Sequence, residues 1–137
     1  MTAIAQKTPV RRGPLVVAGG AVAAIVLSTL VNAVIAVVAH AAGAPDGFQP
    51  LKPGSYIFLT TVGVLAGTAG WAVVRKLSDD PAAVIRWLAP VVVAVSFIPD
   101  FFLFGDGGAT GVAALLVMHV CVAVIAVTAY RKVMPLT

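Results

Sequence analysis

This 137-residue chain predicts an all-α fold, an integral-membrane antiparallel four-helix bundle. Four stretches, about 14–40, 54–74, 84–104 and 109–130, are apolar and almost free of Lys, Arg, Asp and Glu. About 20 helical residues are enough to cross a hydrocarbon core of about 30 Å. Hydrophobic residues make up 61% of the chain and charged residues 10%, with a mean hydropathy of +1.07, which is outside the range of water-soluble domains. The basic residues also segregate. Lys7, Arg11 and Arg12 precede the first span, Arg75, Lys76 and Arg86 flank the second connection, Arg131 and Lys132 follow the last span, and Lys52 alone falls on the other side. By the positive-inside rule both termini are then expected in the cytoplasm. Three or five spans would destroy that asymmetry.

Residues 1–13 read as a disordered basic cytoplasmic tail, 14–132 as the transmembrane domain and 133–137 as a short cytoplasmic C-terminal tail. Pro14 suits the first turn of helix 1. The apolar run after Arg11 and Arg12, ending near Ala39-His40-Ala41, has the outline of a signal peptide. Signal-peptide apolar regions span only about 7–15 residues, so helix 1 is expected to be retained, with cleavage as the alternative. Residues 41–54, with three prolines and three glycines, form the longest connection. Ser78-Asp79-Asp80-Pro81 is a helix start: an Asp caps exposed N–H groups and Pro81 occupies the first turn. Gly105-Asp106-Gly107-Gly108 is expected to make a tight turn into helix 4.

Between helices in lipid, close backbone approach must supply the packing energy, so small residues mark interfaces. Helix 2 carries Thr60, Gly63, Gly67 and Gly70 at helical spacing, and Gly63 and Gly67 form a GxxxG pair. Helix 1 offers Gly20, Ala24, Ser28 and Asn32 at four-residue steps as a stripe suited to meet it. The usual meaning is packing within the bundle, with homodimerisation as the alternative.

Five polar residues, Asn32, Thr60, Ser96, Asp100 and His119, fall in the outer half of the expected membrane and form the candidate polar pocket. An ionised carboxylate in hydrocarbon costs about 2.5–3.5 kcal/mol on the lenient scale, so Asp100 should have a partner, and His119 is the leading candidate. If helix 3 instead breaks at Pro99, Asp100 lies in the outer headgroup region. Asn, Ser and Thr serve as interhelical glue in one reading and as ligand-binding groups in the other.

Several chemistries are disfavoured. Basic residues in ones and twos beside helix ends are topology signals, not a nucleic-acid patch. His40 at a helix end and His119 mid-helix lie at unlike depths, which suits neither a bis-histidine haem nor zinc. Cys121 is the only cysteine and reads as inert packing. No nucleophile elbow or aligned carboxylate pair is present. No metal or other cofactor is expected, and the chain is more readily a non-enzyme than an enzyme.

The basic tail, Ser28 to Asn32 in helix 1, Pro53-Gly54 opening helix 2, LAPVVVAVSFIPD from Leu88 to Asp100, and ALLVMHVCVAV from Ala114 to Val124 resemble a family of small four-span membrane proteins of unknown function from high-GC Gram-positive bacteria. The resemblance spans roughly residues 14–130, and its most specific elements are Ser96, Pro99 and Asp100 and the Met118-His119 pair. It implies the architecture and no catalytic residues. Two functions are therefore carried forward. One is a non-enzymatic accessory or cell-envelope-associated protein whose partners are the bilayer and either a second copy or another membrane protein. The other is a small transporter or ligand-binding protein with an outward-facing polar pocket, where Asp100 and His119 exchange protons.

Overall fold

The computed structural model describes residues 11–136, so residues 1–10 of the expected tail and Thr137 lie outside the described residues. Four long helices run in sequence: α1 (Pro14–Ala41), α2 (Pro53–Leu77), α3 (Pro81–Phe101) and α4 (Phe104–Val133). A short 3-10 turn, Gln49–Leu51, interrupts the connection between α1 and α2. All four helices are long and apolar enough to cross a membrane.

Local chemistry accounts for the helix ends. The first three helices open on proline, whose fixed φ suits a first turn and whose missing N–H has no helical acceptor there. Asp80 caps α3, its Oδ1 accepting from the Ala83 N–H at 3.1 Å. At the end of α1, Gly43 takes φ +103°. This lets the Ala44 N–H reach the Ala39 carbonyl at 2.9 Å and the Gly43 N–H reach His40 at 3.1 Å, the double bond pattern that closes a helix on a left-handed glycine. Pro90 and Pro99 lie inside α3 and remove the helical donors to the Arg86 and Val95 carbonyls, yet the helix continues past both. A break at Pro99 is therefore absent, and Asp100 belongs to the last turn of α3.

The GDGG segment departs from expectation. The chain turns at Phe102 and Leu103, and Gly105 to Gly107 already belong to α4, with the Gly107 N–H bonded to the Leu103 carbonyl at 2.8 Å. Gly108, at φ +63°, kinks the helix, and the span expected from 109 starts after that kink. The glycines serve a close approach as well as a change of direction. A Cβ on Gly107 would stand 2.5 Å from the ring of Phe48, so only glycine admits Phe48 from the α1–α2 connection.

α4 is the central helix, packing on α1, α3 and α2, and its contact with α1 is the most extensive in the bundle. The small stripe of α1, with Ala21, Ala24, Ser28, Asn32, Ala36 and Ala39 buried, makes that contact possible. Two apolar clusters result. One, at the end bearing the long connection, gathers Ala36, Ala39, Ala44, Phe48, Leu51, Ala114, Leu115 and Met118. The other, at the end bearing the chain termini, gathers Ala24, Val64, Trp71, Ile85, Ala126, Tyr130 and Met134. Outward faces carry Val, Leu, Ile and Phe throughout, as lipid requires and water forbids. α3 is the least buried span, at 6% of its most apolar window against 28% for α1 and α4.

Candidate functional site

The polar residues of the middle of the bundle are distributed over two helix interfaces. At the α1–α2 interface the Asn32 Nδ2 donates to Thr60 Oγ1 at 3.0 Å, with both side chains buried. Four-residue steps from Ala24 to Ala36 carry Asn32 onto the inward face of α1, and Thr60 is one of three buried residues of α2. At the α3–α4 interface, Asp100 Oδ2 lies 3.0 Å from His119 Nδ1. The carboxylate is 9% exposed and the imidazole 37%. The ring packs edge-on against Phe97, with centroids 6.1 Å apart.

The surroundings of His119 decide its tautomer. Its Nδ1 faces the Leu115 carbonyl at 2.8 Å as well as the Asp100 carboxylate. Both are acceptors, so a proton on Nδ1 suits both; it is directed to the Leu115 carbonyl, and Asp100 Oδ2, though 3.0 Å away, has no hydrogen bond among the described residues. Nε2 makes no hydrogen bond among the described residues. It is a lone-pair acceptor on the neutral ring and a second donor on the charged one. In either state the site presents a polar atom on the partly exposed side of a membrane-spanning helix. Ser96 does not join it: its hydroxyl donates to the Val93 carbonyl at 2.6 Å within its own helix. The five candidate residues thus form two pairs and one locally bonded serine.

The four candidate packing glycines also separate. Gly20 approaches Val133 so closely that a Cβ would lie 2.6 Å from it, and Gly67 approaches the Tyr130 hydroxyl to the same distance. Gly63 and Gly70 face open space. The GxxxG pair therefore has one member inside the bundle, and the helix that fills the space at Gly67 is α4. Sequence reasoning passed over the large partners of these small residues. Tyr130 donates to the Val64 carbonyl and packs at a tilt against Trp71, with ring centroids 5.4 Å apart, and the Trp71 Nε1 donates to the Met134 carbonyl at 2.9 Å. The signal for this was an aromatic near a helix end facing a glycine, which spacing within one helix does not reveal.

Two surface cavities flank the bundle. A groove of about 560 Å³ beside the start of α2 is lined by Gln49, Lys52, Gly54, Ser55, Phe58 and Leu59, and a cleft of about 300 Å³ by Ala82, Arg131, Pro135 and Leu136. None of the five polar candidates lines either. Among the described residues no three His, Cys, Asp or Glu side chains gather as a metal site.

Four apolar helices, short connections and polar groups paired within the span define a multi-pass helical membrane protein. The chain belongs to a family of unknown function, DUF6069, whose profile spans residues 10–135. No curated protein and no solved structure matches the chain. Membership therefore agrees with the architecture and leaves the roles of Asp100 and His119 to physical argument.

Proposed function

We propose that the protein is a non-enzymatic accessory or cell-envelope-associated protein of a bacterial plasma membrane, acting by association within the bilayer with a second copy or another membrane protein. The observation that carries this reading is His119. A 37% exposed imidazole near the middle of α4 places polar surface where lipid tails offer no hydrogen bond. Polar groups at such positions ordinarily pair with another helix. α3, the least buried span, leaves Val91, Val92, Val95 and Ile98 on its outer side, free to receive such a helix.

Both termini are assigned to the cytoplasm. Supporting this, Arg75 and Lys76 occupy the last turn of α2, and Arg131 and Lys132 the last turn of α4, on the side shared with Arg11, Arg12 and Arg86, opposite Lys52. The cations also oppose the negative ends of those helix dipoles.

A photo-crosslinking amino acid at Val95 or Val120, both exposed, tests the proposal in intact membranes. Adducts at twice the chain's mass indicate a second copy, and protein adducts of any other mass, identified by mass spectrometry, a different protein. Val37, exposed on α1, is the control position. Lipid adducts alone at Val95 and Val120 would refute association through this face.

The alternative, a small transporter or ligand-binding protein with an outward-facing pocket, draws its support from the 3.0 Å Asp100–His119 couple, which is close enough for proton exchange. Against it, Asn32 and Thr60 are bonded to each other at a different interface.

A further inference from the structure

Four helix hydroxyls in this protein are satisfied by their own helix, whereas two buried ones, Ser28 and Thr29, have no hydrogen-bond partner among the described residues. Thr61, Thr68 and Thr128 each donate to the carbonyl four residues earlier, at 2.8, 2.8 and 2.7 Å, and Ser96 to the carbonyl three residues earlier. This back-bonding is the ordinary way for a hydroxyl to be satisfied inside an apolar helix. Ser28 and Thr29 make no such bond, although the hydroxyl oxygen of each is buried. Ser28 is 0% exposed, and Asn32, one turn further along the same face, is 2% exposed. The Asn32 Oδ1 likewise accepts no hydrogen bond from the protein, its amide nitrogen being committed to Thr60. These oxygens lie along α1 between Ala24 of one apolar cluster and Ala36 of the other, in a polar layer that separates the two.

We infer that α1 holds a bound water molecule between Ser28 and Asn32, an internal hydration site in the middle of the bundle. Residues four apart on a helix face have Cβ atoms about 5–6 Å from each other. Hydrogen bonds between oxygens are about 2.7–2.8 Å long, so one water spans the two side chains. The donor count also fits. Asn32 Oδ1 only accepts, Ser28 Oγ both donates and accepts, and water supplies two donors and two acceptors. Buried waters are held by two to four polar partners, and Thr29 Oγ1 is a further unpaired oxygen on the adjoining position.

A cation is the wrong occupant on the same chemistry. Hard cations in such a layer gather six or more oxygens, normally with carboxylates among them. The buried carboxylate among the described residues, Asp100, belongs to α3 and faces His119 at the α3–α4 interface. Neutral oxygens with one missing donor call for a neutral molecule that donates.

The site is independent of the association proposed for the α3–α4 face, and its test is separate. Isotope-labelled protein in liposomes, examined by solid-state NMR for magnetisation transfer from water, should show transfer to the Asn32 side-chain amide and to Ser28, with none to the Ala36 methyl. The near-isosteric Ser28→Ala should abolish transfer at Asn32 and lower the Tm by about 2–8 °C. Absence of transfer in the unaltered protein would overturn the inference. So would Ser28→Ala that leaves transfer intact, or that leaves the Tm unchanged or higher, since a dry unpaired hydroxyl is a burden whose removal stabilises.

Discussion

Replacing Gly67 with alanine sets a methyl carbon 2.6 Å from the Tyr130 hydroxyl and 3.3 Å from its ring. Tyr130 is 4% exposed, holds the Val64 carbonyl and leans on Trp71. Moving its hydroxyl out to an ordinary contact therefore breaks the bond that ties α4 to α2. Overpacking of this kind costs about 1–3 kcal/mol, and the lost hydrogen bond about 0.5–1.5 kcal/mol. The helix-forming advantage of alanine over glycine returns about 0.5–1 kcal/mol, which leaves a net loss of roughly 0.5–4 kcal/mol. Gly63→Ala introduces the same methyl one turn away, where nothing lies within 4 Å, and should be neutral or slightly stabilising. Thermal unfolding in detergent, followed by the fluorescence of Trp71 in a Trp87→Phe background, separates the two variants. Removing the hydroxyl should relieve the clash, so Tyr130→Phe combined with Gly67→Ala should cost less than the two changes summed. Equal melting of Gly67→Ala and Gly63→Ala would refute the packing of α4 on this glycine.

Three further outcomes are expected. Asp100→Asn and His119→Gln should be coupled by at least about 0.5 kcal/mol in a double-mutant cycle on purified protein, because each single change leaves a desolvated group opposite an altered partner; zero coupling would mean that the 3.0 Å approach carries no energy. Phe48→Ala should cost about 3–5 kcal/mol by emptying the space beside Gly107 and Gly111, whereas Phe58→Ala, at a 65% exposed position, should melt near the parent temperature; the comparison is by Tm. In a Cys121→Ser background, Gln49→Cys should react with an impermeant thiol reagent in intact cells and Asp79→Cys should not, both positions being exposed; the reverse pattern would invert the assigned orientation.

The number and approximate place of the helices were legible because lipid imposes a length and a polarity that few other environments share. The cap at Asp80 and the proline starts were legible for a similar reason, since each acts within a few residues. What the sequence left open were relations between helices. The stripes on α1 and α2 looked like mates, yet α1 turns its stripe chiefly to α4, and Gly63 and Gly70 meet no other helix. A small residue announces that something comes close without saying what, and Tyr130 and Phe48 lie 63 and 59 positions away from Gly67 and Gly107. Pro99 misleads in the opposite direction. It marks a break by local rules, but α3 continues through it to Phe101, and that last turn brings Asp100 to within 3.0 Å of His119.

α3 shows how these levels combine. It has little buried surface, two internal prolines and only Ile85 and Asp100 buried, so apolar packing alone holds it weakly to the bundle. Its connection to α2 is three residues long, and its turn into α4 only two, so its ends are tied by the chain while its middle is left to lipid and to whatever helix lies beside it. The Asp100–His119 contact sits near one tied end and fixes the rotation of α3 on α4, because turning the helix by even one residue, about 100°, would carry the carboxylate out into the acyl chains. The same contact leaves His119 Nε2 without a hydrogen bond on the partly exposed side of α4. One pair thus ties a loosely packed helix to α4 and leaves open the polar atom through which the proposed partner helix would bind. A partner that bonds Nε2 would stabilise the orientation of α3 as well as its own docking, so association and helix rotation are expected to be linked in this protein.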